Sequence, residues 1–309
     1  MDVAVTEFFA AALRIATPLL FAALGGILSE RAGVFAVGLE GMMLCGAFAG
    51  VVAVHATGSS AVGLVASVLG GGALGLVVAV ATTRFRADQM VTGLAANILA
   101  LGLTSFLLRG LSGRGEAPTI RVGTLPPLPI PLLDGIPALG PLLFRQPALT
   151  YVGLGLVLAM FAFLHRTRAG LTLRAVGENP TAAFAVGADP LRVRALAVVA
   201  GAGLAGLGGA VLSLQQVGTF TDGMTSGRGY LALAAIIVGR WMPGGALVGC
   251  LLFGAADALQ LRVQGLRLPV SSYVIQMMPY VVSLAVLAGL GRTARLPAAI
   301  GTSFSREAH

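Results

Sequence analysis

Apolar residues run along this chain in long blocks, and the blocks predict membrane-length helices over residues 8–28, 39–57, 61–81, 90–110, 148–165, 191–214 and 272–290. A further block is split, with GYLALAAIIVG at 229–239 followed by RWMPGG and then an apolar run over 244–262. The 229–239 piece is too short to cross about 30 Å of hydrocarbon as a straight helix at about 1.5 Å per residue. The proline and glycines behind it predict a broken or re-entrant element, which is tolerated in a membrane only where protein or a watery cavity shields its backbone. The expected fold is therefore all-α, a polytopic transmembrane bundle of about eight or nine segments forming one domain over residues 1–309.

Between the blocks lie two connections with character of their own. Residues 111–147 are rich in proline, which resists regular helix, and read as a structured external loop. Residues 166–190, RTRAGLTLRAVGENPTAAFAVGADP, carry a helix signal over ENPTAAFAV, with Pro180 near its first turn and Gly187 at its end. That short helix either docks on a soluble partner through its alanine and phenylalanine face or packs against the chain's own bundle.

Composition agrees with lipid as the solvent. Of 309 residues 57% are hydrophobic and 10% charged, with a mean hydropathy of +0.92, against about 25% charged in an ordinary soluble domain. Glycine, at 44 residues, falls inside the apolar blocks without a three-residue period, which suits close helix contacts and unwound helices rather than collagen. The formal charge is +8 and every basic residue is arginine. Such a balance raises nucleic-acid binding in a soluble protein, but here the arginines flank apolar blocks, so topology explains them and no nucleic-acid partner is expected. With an outside N-terminus, the inner connections hold the larger share of arginine, which places 166–190 on the cytoplasmic side. The first block lacks a basic lead-in and follows Asp2 and Glu7, so it reads as a retained segment rather than a cleaved signal.

The residue types exclude several chemistries. The sequence holds no G-x-x-x-x-G-K-[ST] loop and no lysine to complete one, and no G-x-S-x-G, H-E-x-x-H or paired C-x-x-C signature. Cys45 and Cys250 lie in apolar surroundings far from each other, and His55, His165 and His309 are scattered. The chain is therefore read as a non-enzyme with no cofactor or metal of its own, and ATP, if used, is bound by partner subunits.

Polar residues inside apolar blocks are the candidates for function, because exposure to lipid is costly and they face protein or a watery route. Glu40, Arg14 and Asp257 are the ionisable ones. Glu40 reads as a cap or ion-pair member near a helix start, with Arg14 as a candidate partner, or as a substrate contact. Asn97, Gln215 and Gln216 offer neutral hydrogen-bonding groups, and Phe220 and Tyr230 add rings beside the broken element. Such a mixture suits a polar heterocycle or sugar in a cavity, and it equally suits helix-to-helix bonding. Arg228 either joins that pathway or faces a partner outside.

At this point the residues carry a resemblance. TPLLFAALGGILSERAGVFAVGLEGMMLCGAF at 17–48, LRAVGENPTAAFAVGADPLRVRALAVVAGAGLAGLGGAVLSLQQVGTF at 173–220, MTSGRGYLALAAIIVGRWMPGGALVGCLLFGAADALQ at 224–260 and MMPYVVSLAVLAGLGR at 277–292 resemble the permease subunits of bacterial ABC importers for nucleosides and related simple sugars. These lie within the wider branched-chain amino-acid and ribose permease group, and the likeness covers nearly the whole chain outside the external loop. It implies a multi-pass subunit of the bacterial inner membrane. The implied partners are a second permease subunit, either a second copy of this chain or a longer relative; two cytoplasmic ATP-binding subunits; and an extracytoplasmic substrate-binding protein. It further implies that Glu178, Asn179, Pro180, Ala182, Ala183, Phe184 and Gly187 form the region coupled to the ATPases. Two departures stand out: Ala36 occupies a position where the family often has asparagine, and Asp189 and Pro190 replace the residues usual after the loop glycine. The competing functions are a permease for branched-chain amino acids or another small solute, an ion-coupled secondary transporter, and a membrane structural or receptor protein.

Overall fold

In a computed structural model the described residues are 3–111, 119–126, 144–265, 272–290 and 296–304. Most of the expected 111–147 connection therefore lies outside the described residues. The architecture is an all-α bundle. Five long helices come first or early: α1 (Val3–Arg31), α2 (Leu39–Thr57), α3 (Ser60–Thr83), α4 (Gln89–Leu111) and α5 (Ala148–Arg166). Two short helices, α6 (Arg168–Glu178) and α7 (Pro180–Ala185), lead into α8 (Pro190–Ala210), which continues as a π-helical stretch over Val211–Val217. The chain then runs through α9 (Arg228–Val238), α10 (Pro243–Gly265), α11 (Ser272–Gln276) and α12 (Met278–Leu290). Among the described residues, seven helices are long and apolar enough to cross a membrane: α1 to α5, α8 with its continuation, and α10. α9 and the 274–286 stretch are shorter apolar candidates.

The blocks read from hydropathy meet these helices to within a few residues at most ends, because a span without water must close every backbone hydrogen bond on itself. Their ends follow local chemistry. Gly58, at φ 68°, turns the end of α2 and donates its N–H to Val54 O, and α3 starts two residues later. Asp189 accepts from the N–H groups of Leu191 and Arg192, with Pro190 in the first turn of α8. The Asp189 and Pro190 departure is thus a helix cap.

The centre is a seam of small residues where α2, α3 and α8 meet and α1 packs alongside. A Cβ at Gly206 of α8 would stand 2.2 Å from Ser67 O and 3.1 Å from Gly71 Cα, both on α3. One at Gly46 of α2 would stand 2.3 Å from Gly206 Cα. Only glycine permits this approach, and close backbone contact is what drives helix association where lipid removes the hydrophobic drive. Large apolar side chains instead point outward, among them Leu69 and Leu76 of α3, Ile98 and Phe106 of α4 and Leu158 of α5, each at least half exposed. Such a belt meets lipid or another membrane subunit.

The interruption expected between 229 and 262 falls at the turn joining α9 to α10. Arg240 and Trp241 have φ of 54° and 56°, a region unusual for residues with side chains. The turn is held by the end of α1: the Trp241 indole N–H donates to the buried Glu30 carboxylate, and Arg31 Nε donates to Trp241 O at 3.0 Å. On its other side α9 is preceded by non-helical chain, in which β2 (Thr219–Phe220) pairs antiparallel with β1 (Ile120–Arg121).

Candidate functional site

Two helices of the bundle begin inside it rather than at its edge. α1 ends at Arg31, and residues 32–38 then run as buried, non-helical chain before α2 starts at Leu39. Polar side chains satisfy that stretch. Gln89 Oε1 accepts from Phe35 N at 2.7 Å, Glu30 Oε1 from Ala36 N at 3.3 Å, and Asn97 Nδ2 donates to Val37 O at 3.0 Å. Asn97 Oδ1 also accepts from Gly41 N, in the first turn of α2, at 2.8 Å. Gln89 and Asn97 share one face of α4 by helical periodicity, so a single helix supplies both amides.

The second such helix is α9. Its first turn lies against the first turn of α2 so closely that a Cβ at Gly229 would stand 2.4 Å from Glu40 N. Glu40 bridges the two ends: its Oε1 accepts from Gly227 N at 2.8 Å and its Oε2 from Gly229 N at 2.6 Å. Each helix start presents unpaired N–H groups and the positive end of its dipole, and one carboxylate faces both. Glu40 lies in the first turn of α2, and its side-chain bonds go to the start of α9. Arg14 is exposed, its carbonyl accepts from Gln216 Nε2 at 2.7 Å, and no Arg14 to Glu40 ion pair occurs among the described residues.

Polar groups gather around this junction. Asn97 Nδ2 donates to the Tyr230 hydroxyl at 3.0 Å, and the Tyr230 ring remains half exposed. Tyr280 donates to Ser226 O at 2.9 Å. Arg228 lies 3.9 Å from Asp257. Beside them opens a cavity of about 240 Å³ lined by Ser226, Arg228, Leu231, Asp257, Gln260, Gln276 and Tyr280. Of the six pathway candidates, Glu40, Asn97 and Tyr230 thus share one junction, and Arg228 stands at the neighbouring cavity.

The other two lie elsewhere. Phe220 is fully buried, and its ring meets Phe48 edge-on at 5.2 Å, so it is spent on packing. Gln215 is buried in the π-helical stretch, where its Oε1 accepts from Leu149 N at the start of α5 at 3.2 Å. Sequence reasoning passed over Gln89, Tyr280 and Gln276. The spacing of Gln89 from Asn97 was a usable signal, whereas Gln276 at the end of α11 and Tyr280 in α12 reach the site from helices that no local pattern ties to it.

A second group of candidates occupies the 178–187 stretch. Asn179 Oδ1 accepts from Ala182 N at 2.9 Å, Pro180 opens α7, and Gly187, at φ 92°, closes the turn after it. Ala183 faces inward, Ala182 and Val186 outward, and Phe184 is part exposed with its ring 5.7 Å from that of Phe304. Glu178 Oε2 accepts from Ala298 N at 3.4 Å. The short helix both packs on its own chain and presents a free face.

A model of the family described as "Branched-chain amino acid transport system / permease component" matches residues 8–289. Among individual relatives, the chain is 36% identical to a guanosine ABC transporter permease protein of Bacillus subtilis over 95% of each chain. It is 37% identical to a nucleoside ABC transporter permease protein of Lactococcus lactis over 93% of each. With a putative glucose ABC transporter permease protein of Haloferax volcanii, an archaeal relative, it shares 38% identity over 84% of this chain and 78% of the relative. No solved structure matches it.

Proposed function

The chain belongs to the family of branched-chain amino acid transport system permease components, and on that premise we propose that it carries nucleosides or related simple sugars across a bacterial inner membrane. It is a multi-pass, non-catalytic permease subunit of an ABC transport system. In the proposed assembly it pairs with a longer permease relative, receives solute from an extracytoplasmic binding protein and is driven by two cytoplasmic ATP-binding subunits.

The observation that carries the reading is the meeting of two helix starts, those of α2 and the short α9, at Glu40, Asn97 and Tyr230. A pair of helix starts inside a bundle, bordered by an amide, a half-exposed ring and a polar cavity, offers a solute both hydrogen bonds and a stacking face. Purines, pyrimidines and sugars use such groups, whereas a branched aliphatic side chain needs an apolar pocket. The relatives named for guanosine and for nucleosides, matched nearly end to end, support the same class.

In this reading solute moves past the same junction. The junction is held by side-chain bonds rather than by continuous helix, so α2 and α9 can separate at Glu40 without breaking either ladder. ATP-driven closure of the cytoplasmic subunits acts on α7 through its exposed face, with Glu178, Asn179, Pro180, Ala182, Ala183, Phe184 and Gly187 forming the coupling element. Proteoliposomes holding the assembled transporter and its binding protein test the cargo. Uptake of labelled guanosine, competed by uridine or glucose and not by leucine, is the expected result; leucine uptake with no nucleoside uptake defeats it.

A further inference from the structure

Arg194, in the second turn of α8, is 3% exposed and belongs to no site described above. Its guanidinium donates to three main-chain carbonyls from two separate parts of the chain. Nε bonds Ala32 O at 3.1 Å, Nη1 bonds Thr302 O at 2.7 Å, and Nη2 bonds Ala299 O at 3.3 Å. Burying a cation on carbonyls alone is a costly way to join helices that apolar side chains could join more simply. What the guanidinium adds is a fixed planar fork that locks three partners in one geometry.

The partners are informative. Ala32 opens the buried stretch 32–38 that leads to the start of α2 and to Glu40. Ala299 and Thr302 lie in the segment 296–304, which is fastened to the other side of the coupling element. Ala299 N donates to Gly177 O at 2.9 Å and Ala298 N to Glu178 Oε2 at 3.4 Å. Phe304, 5% exposed, sits against Phe184 of α7. A continuous line of contacts thus runs from α7 through residues 296–304 to Arg194, and from Arg194 through Ala32 to the junction.

We propose that Arg194 is a positioning residue that, together with the segment 296–304, carries displacement of α7 to the 32–38 stretch and so to the Glu40 junction. The inference rests on the reading of α7 as the element met by the ATP-binding subunits. Phe304 is the backstop behind Phe184: when α7 is pushed, the segment moves with it and pulls on the three carbonyl bonds. Lysine at position 194 keeps the charge but lacks the fork, and cannot hold the three carbonyls in one arrangement.

The test uses the complex with its ATP-binding subunits in lipid nanodiscs, on a Cys45→Ala, Cys250→Ala background. Leu101→Cys, one turn from Asn97 on the same face of α4, reports on the junction through its rate of labelling by a thiol reagent. Val186→Cys, at an 86% exposed position just after α7, reports contact with the ATP-binding subunits through a short bifunctional cross-linker. In the parent, ATP with vanadate changes the Leu101→Cys labelling rate by about fivefold or more, the scale of a typical coupling between sites. In Arg194→Lys, and separately in Phe304→Ala, that response falls below about twofold while the Val186→Cys cross-link persists. A merely structural role lowers the yield of complex and leaves the response of the assembled fraction intact. A full response in Phe304→Ala and in any assembled Arg194→Lys overturns the proposal, as does a parent whose labelling ignores nucleotide. Failure of Val186→Cys to cross-link in the parent overturns the reading of α7 itself, and is told apart by that assay alone.

Discussion

The seam at Gly46, Gly71 and Gly206 and the junction at Glu40 answer the same constraint in opposite ways. In the seam, unbroken helices close their own hydrogen bonds, so nothing polar is required and the backbones press together. At the junction α9 is short of a full span and residues 32–38 are not helical, and Gln89, Asn97 and Glu40 supply the hydrogen bonds that a helix would have supplied. The junction is therefore the easier of the two to move. Both places press backbones together, but parting the seam forfeits contacts between three long helices, whereas parting the junction exchanges a few side-chain hydrogen bonds for bonds to water or solute.

The largest effect is expected at Gly206. Gly206→Leu places a side chain where Ser67 O and Gly71 Cα already stand, and overpacking of well-packed sites costs about 1–3 kcal/mol or more. We expect the loss of most folded protein from membranes, read as yield and thermal stability in detergent. Gly155→Leu on α5, where a Cβ would meet nothing within 4 Å, is the matched control and should leave both unchanged. A tolerated leucine at 206 removes the claim that the seam is rigid.

Glu40→Gln sharpens the other half. The amide keeps one acceptor for Gly227 or Gly229 but turns an N–H₂ group toward the second backbone donor, and it leaves two dipole ends without their counter-charge. A hydrogen bond to a charged group is worth about 1.5–3 kcal/mol, so uptake should fall by about tenfold or more. Thermal stability should fall less than in Gly206→Leu. Glutamine keeps one of the two bonds, so its loss stays near the low end of that range, about 1.5 kcal/mol, whereas a leucine at 206 forces two backbones apart. Equal losses of stability in the two variants erase the distinction between rigid and movable regions.

These two regions also differ in how far the sequence reveals them. Helix positions follow from apolar block length, since lipid permits little else, and the break near RWMPGG follows from proline and glycine chemistry. The gap between the blocks 8–28 and 39–57 marks a connection, but not that 32–38 runs buried, because AGVFAVG is as apolar as a helix and its path depends on amides from α4. Glu40 and Asn97 stood out as polar residues in apolar surroundings. Phe220 stood out for its place beside the break, yet its ring turns inward to Phe48, an orientation set by the pairing of β1 with β2. Spacing shows which helix carries a residue; the neighbour it meets is decided by chains far away in sequence.

The finest probe of the junction is Tyr230→Phe. It removes one hydroxyl and leaves the ring in place. Asn97 keeps Gly41 N and Val37 O as partners, so both helix starts remain satisfied. Stability should therefore stay level. If the hydroxyl also serves solute, as the half exposure of the side chain suggests, the loss is one neutral hydrogen bond of about 0.5–1.5 kcal/mol, or a rise in KM of about two- to tenfold. Initial rates of guanosine uptake against concentration check it, with thermal stability measured on the same preparations. Unchanged KM with lowered stability would show that Tyr230 braces Asn97 and takes no part in contact with solute, which moves the pathway from the Asn97 face of the junction to the cavity beside Arg228 and Tyr280.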